Sequence, residues 1–365
     1  MMPGLSPLEV AELAHLMTLK YGFIGLPMGG AKAGIIGDPE MPVEQKRELL
    51  AAFGRGLKPH LRRWHYMPWT DMGTTDADIR HLAESAGVRD PGLKRPSTSS
   101  GFTGLSVAIA AAEAARSRQM SLSGLTLAVE GFGKVGSAVA KELQPMGVKL
   151  IALSTSRGAV YKRDGFDVDQ LLKLYGEVGS NVVNAVGQGE KIEIARLLEL
   201  DVDILSPCAG PFSINESNVS RIAAKIVSPG ANLPFTAEVQ HTLRERGILC
   251  IPDFVANAGG VMGASMDSAG VGTDFTRRFV TARFAERVNG LIRTADREGA
   301  TLDDCARQLA LRNFSRAKTR GEKSRVWLGV LAFIPYLNSK GLIPRPLVRS
   351  AFTRYFERAV LLPSV

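Results

Sequence analysis

Apolar positions from Val10 to Tyr21 recur at helical spacing behind a Ser6–Glu9 capping pair. The pattern predicts a first helix with Lys20 at its C-terminal end. The stretch that follows, FIGLPMGGAKAGII, is rich in β-formers at both ends and broken by Pro27, Gly29 and Gly30. It predicts a strand, a tight turn and a second strand, with Lys32 just past the turn. Helical periodicity returns at 43 to 57 and 76 to 86, with the loop MPWTDMGTT between them, and again at 103 to 118. From Leu125 the rhythm changes to short apolar runs, LTLAVEGF, KLIALST, VDILSP, KIVSPG and ILCIPDF, alternating with helical segments. Such alternation predicts a parallel sheet with crossover helices. Two more helices are predicted at 274 to 297 and 301 to 320.

Composition narrows the class. A chain of 365 residues with 45% hydrophobic content can bury two cores. Cys208, Cys250 and Cys305 form no CxxC pair and are odd in number, which fits a reducing compartment. The first residues, MMPGLSPLEVAEL, lack the basic and apolar regions of a signal peptide, so a cytoplasmic location is expected. VWLGVLAFIPYL is twelve residues long and contains Pro335, too short for a membrane span. The formal charge of +9 is concentrated in the tail, where residues 316 to 365 hold ten Lys/Arg against two acids, a net +8. The rest is near neutral, unlike a nucleic-acid-binding domain. His15, His60, His65, His81 and His241 show no ligand spacing, so no metal site is expected.

Gly131-Phe132-Gly133-Lys134-Val135-Gly136 follows a predicted strand and opens a predicted helix. Glycines so placed allow a tight turn, close approach of backbone to a pyrophosphate and close helix packing, and the helix N-terminus stabilises the phosphate charge. The motif predicts a dinucleotide site within a Rossmann-type doubly wound parallel sheet. About twenty residues on, where an acid would hold a ribose hydroxyl, the chain reads Ser154-Thr155-Ser156-Arg157. Hydroxyls with an arginine suit a 2′-phosphate, which favours NADP over NAD; the alternative is that Arg157 is a solvated loop residue.

Seven segments occur in order: MTLKYGFIGLPMGGAKAGIIGDP, MPWTDMGT, FTGLSV, VEGFGKVG, SRGAVYKRDGFD, SPGANLPFT and PDFVANAGGV. Together they resemble the glutamate/leucine/phenylalanine/valine dehydrogenase family as far as about residue 312. The resemblance implies oxidative deamination of an L-amino acid to a 2-oxo acid and ammonia with NADP or NAD. Such chemistry needs a cation for the substrate carboxylate and an acid/base near the amine, and two neighbouring lysines serve both because each depresses the pKa of the other. By resemblance, Lys20 binds the α-carboxylate, Lys32 activates the attacking water and Asp71 carries protons to and from the amine. Gly29 and Gly30 let backbone approach the substrate. Thr103, Asn232 and Asn257 surround the nicotinamide, Asn257 reaching the substrate as well, and Ala209 beside Cys208 joins the cofactor set. The resemblance also implies a homo-oligomer.

The chain departs from the family in several places. It begins almost at the first helix, without the upstream strands and the PxKGG segment of the family, so a shortened substrate domain is expected. Ala33 and Ser106 replace glycines of the family pattern, Trp69 places an indole two residues before Asp71, and Ala264 stands where glutamate-specific members often present a hydroxyl. An unpaired buried γ-carboxylate is costly, so glutamate is favoured only narrowly over an apolar amino acid. The expected architecture is α/β: a smaller, truncated α/β substrate domain at 1–105, the dinucleotide domain at 106–265, helices at 266–320 packing back on the first domain, and a basic tail at 321–365. The tail is expected to form an amphipathic helix or to cover the flank of the first domain. The rival reading is a non-catalytic nucleotide-binding relative acting in assembly or regulation.

Overall fold

The first helix, α1 (Pro7–Ile24), is capped as expected, with the Ser6 hydroxyl accepting from the Glu9 amide at 3.1 Å. This and all that follows rest on a computed structural model, which describes the chain apart from residues 27, 64, 89–98, 324–344 and 361–365. α1 runs a turn beyond its predicted end because Phe23 and Ile24 continue the buried face of Leu16 and Leu19. It stops at Gly25, whose φ of +81° closes the helix in the left-handed conformation. The strand–turn–strand expected over 23 to 36 is therefore corrected. Its first half completes α1, and in its second half Ile36 makes one isolated parallel bridge, to Met2. Strand propensity here meets no neighbouring strand among the described residues, and propensity without pairing does not make a sheet. α2 (Val43–Arg62) and α3 (Asp76–Ser85) pack together around Leu50, Leu61 and Leu82.

α4 (Ser99–Ser117) leads into the larger lobe, with Val107 to Ala112 almost completely buried. The sheet follows: β1 (Thr126–Glu130), α5 (Lys134–Leu143), β2 (Lys149–Thr155), β3 (Gly158–Tyr161), α6 (Val168–Val178), α7 (Val182–Ala185), β4 (Glu190–Ile192), α8 (Ile194–Leu198), β5 (Ile204–Pro207), β6 (Ile226–Val227), α9 (Ala237–Glu245) and β7 (Leu249–Cys250). Spatial order is β4-β3-β2-β1-β5-β6-β7, and β2, β1, β5, β6 and β7 are parallel, as the alternation predicted. The sequence reading missed β3 and β4 at one edge, where β3 pairs antiparallel with β2 after a tight turn at 156–157 and β4 pairs antiparallel with β3. β3 follows β2 through a two-residue turn with no crossover helix, and β4 is only three residues long, so neither leaves a strand signal to detect.

After β7 come α10 (Asp253–Ala256), α11 (Gly259–Ser268), α12 (Thr273–Phe279), a π-helical turn over Val280–Phe284, α13 (Ala285–Glu298), α14 (Leu302–Lys323) and α15 (Arg345–Ala359). α14 lies along α1 so closely that a Cβ on Gly22 would stand 2.2 Å from the Ala310 carbonyl oxygen. Phe23 of α1 meets Phe284 edge to face, with ring centroids 6.0 Å apart. One apolar core thus runs from α1 through α4 to α13 and α14. Of the two forms expected for the tail, the described part takes the helical one. Phe352, Phe356 and Val360 enter that same core, and α15 shares a groove with Phe275 and Arg278 of α12. The aromatic run from Trp327 to Tyr336 lies outside the described residues. Among the described residues, no helix is long and apolar enough to cross a membrane.

Candidate active site

At the C-terminal end of β1 the chain turns through Gly131, at φ +88°, into α5. A Cβ on Gly131 would lie 2.6 Å from the Ala209 nitrogen, and one on Gly136 would lie 2.2 Å from the Gly131 oxygen and 2.7 Å from Val129 Cγ1. Both positions therefore exclude a side chain. Gly133 differs, because a Cβ there meets nothing within 4 Å. Its backbone faces open space in front of α5, the geometry a pyrophosphate needs. Lys134 is exposed, Val135 packs beside Gly230, and Ala209 is exposed across the turn.

The Ser154–Arg157 segment divides in two. Ser154 is buried and its hydroxyl accepts the Gly131 amide at 3.0 Å, bracing the turn; the sequence reading gave it no role of its own. Thr155 was expected at the cofactor, but it is buried and its hydroxyl donates to the Ser180 carbonyl at 2.7 Å while accepting the Arg157 amide at 3.1 Å. It braces the end of β2, and only Ser156 and Arg157 are exposed there.

Lys32 and Asp71 are ion-paired and hydrogen-bonded, Lys32 on the segment after α1 and Asp71 on the loop between α2 and α3. Their side chains are 22% and 54% exposed, so the pair is reachable from solvent. Each partner is held by its own loop. The Gly30 amide donates to Thr18 Oγ1 at 2.9 Å, and a Cβ on Gly30 would stand 2.1 Å from the Ala14 oxygen, so only glycine lets this segment lie on α1. Gly29 is under no such constraint, its nearest contact being the Phe314 ring at 3.9 Å. The Asp71 amide donates to Thr74 Oγ1 at 3.1 Å and the Met72 amide to Asp71 Oδ1 at 2.8 Å. Burial would raise the Asp71 carboxyl, but the Lys32 charge and hydrogen bond, the Met72 amide and Lys20 outweigh it and hold the carboxyl below its usual range. Beside it, burial and the Asp71 charge push the Tyr66 phenol up to about 12. Trp69, on the Asp71 loop, is 40% exposed.

Lys20 is 6% exposed and its Nζ donates to Asn232 Oδ1 at 2.6 Å, a contact between α1 and the loop beyond β6. Burial lowers its ammonium to about 8, with Asp253 opposing the fall and Lys32 adding to it. Lys20, Lys32 and Asp71 therefore share one electrostatic neighbourhood. Asn257 Nδ2 also donates to Asn232 Oδ1, at 3.1 Å, and to the carbonyls of Gly230 and Ala231 at 3.3 and 3.2 Å. Its own Oδ1 is buried and has no hydrogen-bond partner among the described residues, a free acceptor in a residue 4% exposed.

Thr103 is half-buried on α4, and Ala264 is half-exposed on α11. Ser106 explains itself, since its hydroxyl accepts the Gly259 amide at 3.0 Å and donates to the Thr103 carbonyl at 3.0 Å, tying α4 to the start of α11. Gly259 is required there, because a Cβ would stand 2.2 Å from the Phe102 oxygen. Sequence reasoning missed Asp253, the buried acid near Lys20, although it stands within PDFVANAGGV four residues before Asn257.

The Glutamate/Leucine/Phenylalanine/Valine dehydrogenase model matches residues 97–320, and the Glu/Leu/Phe/Val dehydrogenase dimerisation-domain model matches residues 1–86. An NAD-specific glutamate dehydrogenase of Staphylococcus aureus (strain COL) is 35% identical over 272 residues, 71% of this chain and 65% of the relative. The chain thus spans just under two thirds of that relative's length. An NADP-specific glutamate dehydrogenase of Saccharolobus shibatae is 33% identical over 341 residues, covering 87% of this chain and 80% of the relative. Among solved structures, a glutamate dehydrogenase from Peptoniphilus asaccharolyticus aligns with a TM-score of 0.69 at 26% identity, over 88% of this chain and 82% of that one. An L-tryptophan dehydrogenase from Nostoc punctiforme aligns at 0.63 and 25% identity, over 87% of each.

Proposed function

The chain belongs to the glutamate/leucine/phenylalanine/valine dehydrogenase family, and on that premise we propose that it oxidatively deaminates an L-amino acid with NAD or NADP. The reaction converts amino acid, NAD(P)⁺ and water into 2-oxo acid, ammonium, NAD(P)H and a proton. The observation that carries the proposal is the shared neighbourhood of Lys20, Lys32 and Asp71, with Lys20 bonded to Asn232 of the larger lobe.

Each residue takes the part its surroundings suit. Lys20, buried and cationic at neutral pH, binds the α-carboxylate, because a buried ammonium gains most from an anionic partner. Asp71, held ionised by Lys32, accepts a proton from the substrate amine. Lys32, bonded to Asp71 and reachable from solvent, orients the water that adds to Cα and exchanges a proton with Asp71 as ammonia leaves. Nicotinamide, when bound, supplies the acceptor for the hydrogen and electron pair that leave Cα. Two features fit a dinucleotide: the open space before Gly133 and the unpartnered Asn257 oxygen, a ready acceptor for an amide or amine donor. Thr103, Asn232, Ala209, Lys134 and Val135 complete the proposed cofactor wall, with Ser156 and Arg157 at the ribose.

The proposed division of the chain is a substrate domain at 1–105, a dinucleotide domain at 106–265 and helices at 266–320 that return to the first. Self-association through residues 1–86 is part of the proposal, supported by the dimerisation-domain match over that stretch. Glutamate is the first substrate to test, since both relatives carry that name. Apolar amino acids come second, because Ala264 offers no hydroxyl to a γ-carboxylate. The deciding experiment is a turnover screen over the twenty amino acids with each cofactor, beside Lys32→Ala. The proposal expects reduced cofactor from the parent chain and none from the variant at unchanged melting temperature. Cofactor binding without turnover on any amino acid would favour a non-catalytic role instead.

A further inference from the structure

Asn232 accepts a hydrogen bond from Lys20 of α1, and the backbone that presents it is fixed from outside. Gly230 and Ala231 donate their amides to the Pro207 carbonyl at 2.8 and 3.0 Å, anchoring the start of the loop. Its far side turns at Leu233, a non-glycine residue with φ +51°. A leucine has none of glycine's freedom in that region, so the turn persists only where neighbours over-determine it. Two bonds do so. The Leu233 amide donates to Asp253 Oδ2 at 2.7 Å, and the Leu233 carbonyl accepts the Phe212 amide at 2.7 Å. The second oxygen of Asp253 accepts the Phe254 amide at 2.7 Å, so both carboxylate oxygens are held by backbone in a residue only 8% exposed.

We propose that Asp253 is a positioning residue for the amino-acid site: its carboxylate fixes the left-handed turn at Leu233 and thereby aims Asn232 Oδ1 at Lys20. An isolated buried carboxylate is costly, and one kept among the Leu233 amide, the Phe254 amide and the Lys20 charge has the partners that offset the cost. The same three oppose the rise that burial imposes on its carboxyl. The effect on turnover rests on the role proposed for Lys20; the effect on the loop does not.

The test uses the full chain carrying Asp253→Ala, Asp253→Asn, Asn232→Ala and the Asn232→Ala/Asp253→Ala pair. Two quantities are read: amide hydrogen exchange over residues 230–236 and the steady-state constants for the amino acid. Asp253→Ala is expected to speed exchange at Leu233 and to raise the amino-acid KM, each by about tenfold or more, with a smaller change in kcat. Asp253→Asn, which keeps one acceptor oxygen, falls between and carries the test should the alanine variant not fold. Assayed well below pH 8, where Lys20 keeps its charge, the double variant should have the KM of Asn232→Ala alone, because Asp253 acts through Asn232. Unchanged exchange at Leu233 in both Asp253 variants, or KM losses that multiply in the double variant, overturns the proposal. Should the parent chain turn over no amino acid, the enzymatic reading fails by itself, and exchange at Leu233 still decides the role of Asp253.

Discussion

The Lys20 ammonium lies 2.6 Å from the side-chain oxygen of Asn232, although 212 residues separate them in the chain. An ammonium already lowered to about 8, chiefly by burial, is half neutral near that pH. In the proposed site a substrate carboxylate selects the charged form, so binding should weaken as pH rises past about 8, with a loss tending to about tenfold per pH unit. The 2-oxo acid is the cleaner probe, because it has no amine of its own to titrate. Its KM, measured in the reductive direction at saturating ammonia, should be flat below pH 8 and climb above it. In Lys20→Gln the climb should vanish. The KM at pH 7 should then be higher by roughly 10- to 100-fold, the loss of one charge-assisted hydrogen bond.

The glycines of the 131–136 turn separate fold from binding. Gly131→Ala forces a side chain to φ +88° and against the Ala209 backbone, so it should cost roughly 2 kcal/mol or more of stability. Gly133→Ala meets no atom of the protein and should melt within about 2 °C of the parent. Its methyl instead enters the space proposed for the pyrophosphate, so the Kd for either cofactor should rise about tenfold or more. Calorimetric melting and cofactor titration on the two variants distinguish these effects; a Gly133→Ala protein that binds normally would move the pyrophosphate elsewhere.

How far each element could be read from the chain follows from how local its cause is. α1, α3 and the parallel strands carry their own signals, in a capping pair, in helical periodicity and in alternation, and the structure has them where those signals stand. The segment from 23 to 36 misled because β-forming residues say nothing about whether a strand waits beside them. Asp253 was invisible for a related reason. Beyond the Phe254 amide next to it, its partners are the amide of Leu233, twenty residues back, and Lys20 on α1, and neither leaves a trace in the local sequence. Thr155 failed in the opposite sense, because a hydroxyl that looks free in sequence is used by Ser180 in the fold.

The proposed preference for NADP rests on Arg157. With Thr155 committed to the Ser180 carbonyl, Ser156 and Arg157 are the exposed groups at the end of β2. A guanidinium there gains from a 2′-phosphate and gains nothing from a bare hydroxyl. Arg157→Ala should therefore lower kcat/KM with NADP by about 10- to 100-fold and change the value with NAD by less than about threefold. Equal losses with both cofactors would place the arginine outside the ribose contact.

α15 offers a test of whether the tail belongs to the fold. Phe352 is 5% exposed in the core shared with Phe279 and Phe284. Truncating a buried phenylalanine removes its apolar contacts and leaves a cavity, which costs about 3 to 5 kcal/mol where the surroundings cannot collapse. A helix docked at the end of the chain collapses or detaches more easily than the middle of a core, so Phe352→Ala should cost less, roughly 2 to 3 kcal/mol. Denaturant unfolding of the full chain measures the loss. Phe284→Ala, which removes the edge-to-face contact with Phe23 that joins α1 to the π-helical turn, should cost the larger amount. If Phe352→Ala is neutral while Phe284→Ala is severe, α15 is an appendage and the core ends at α14.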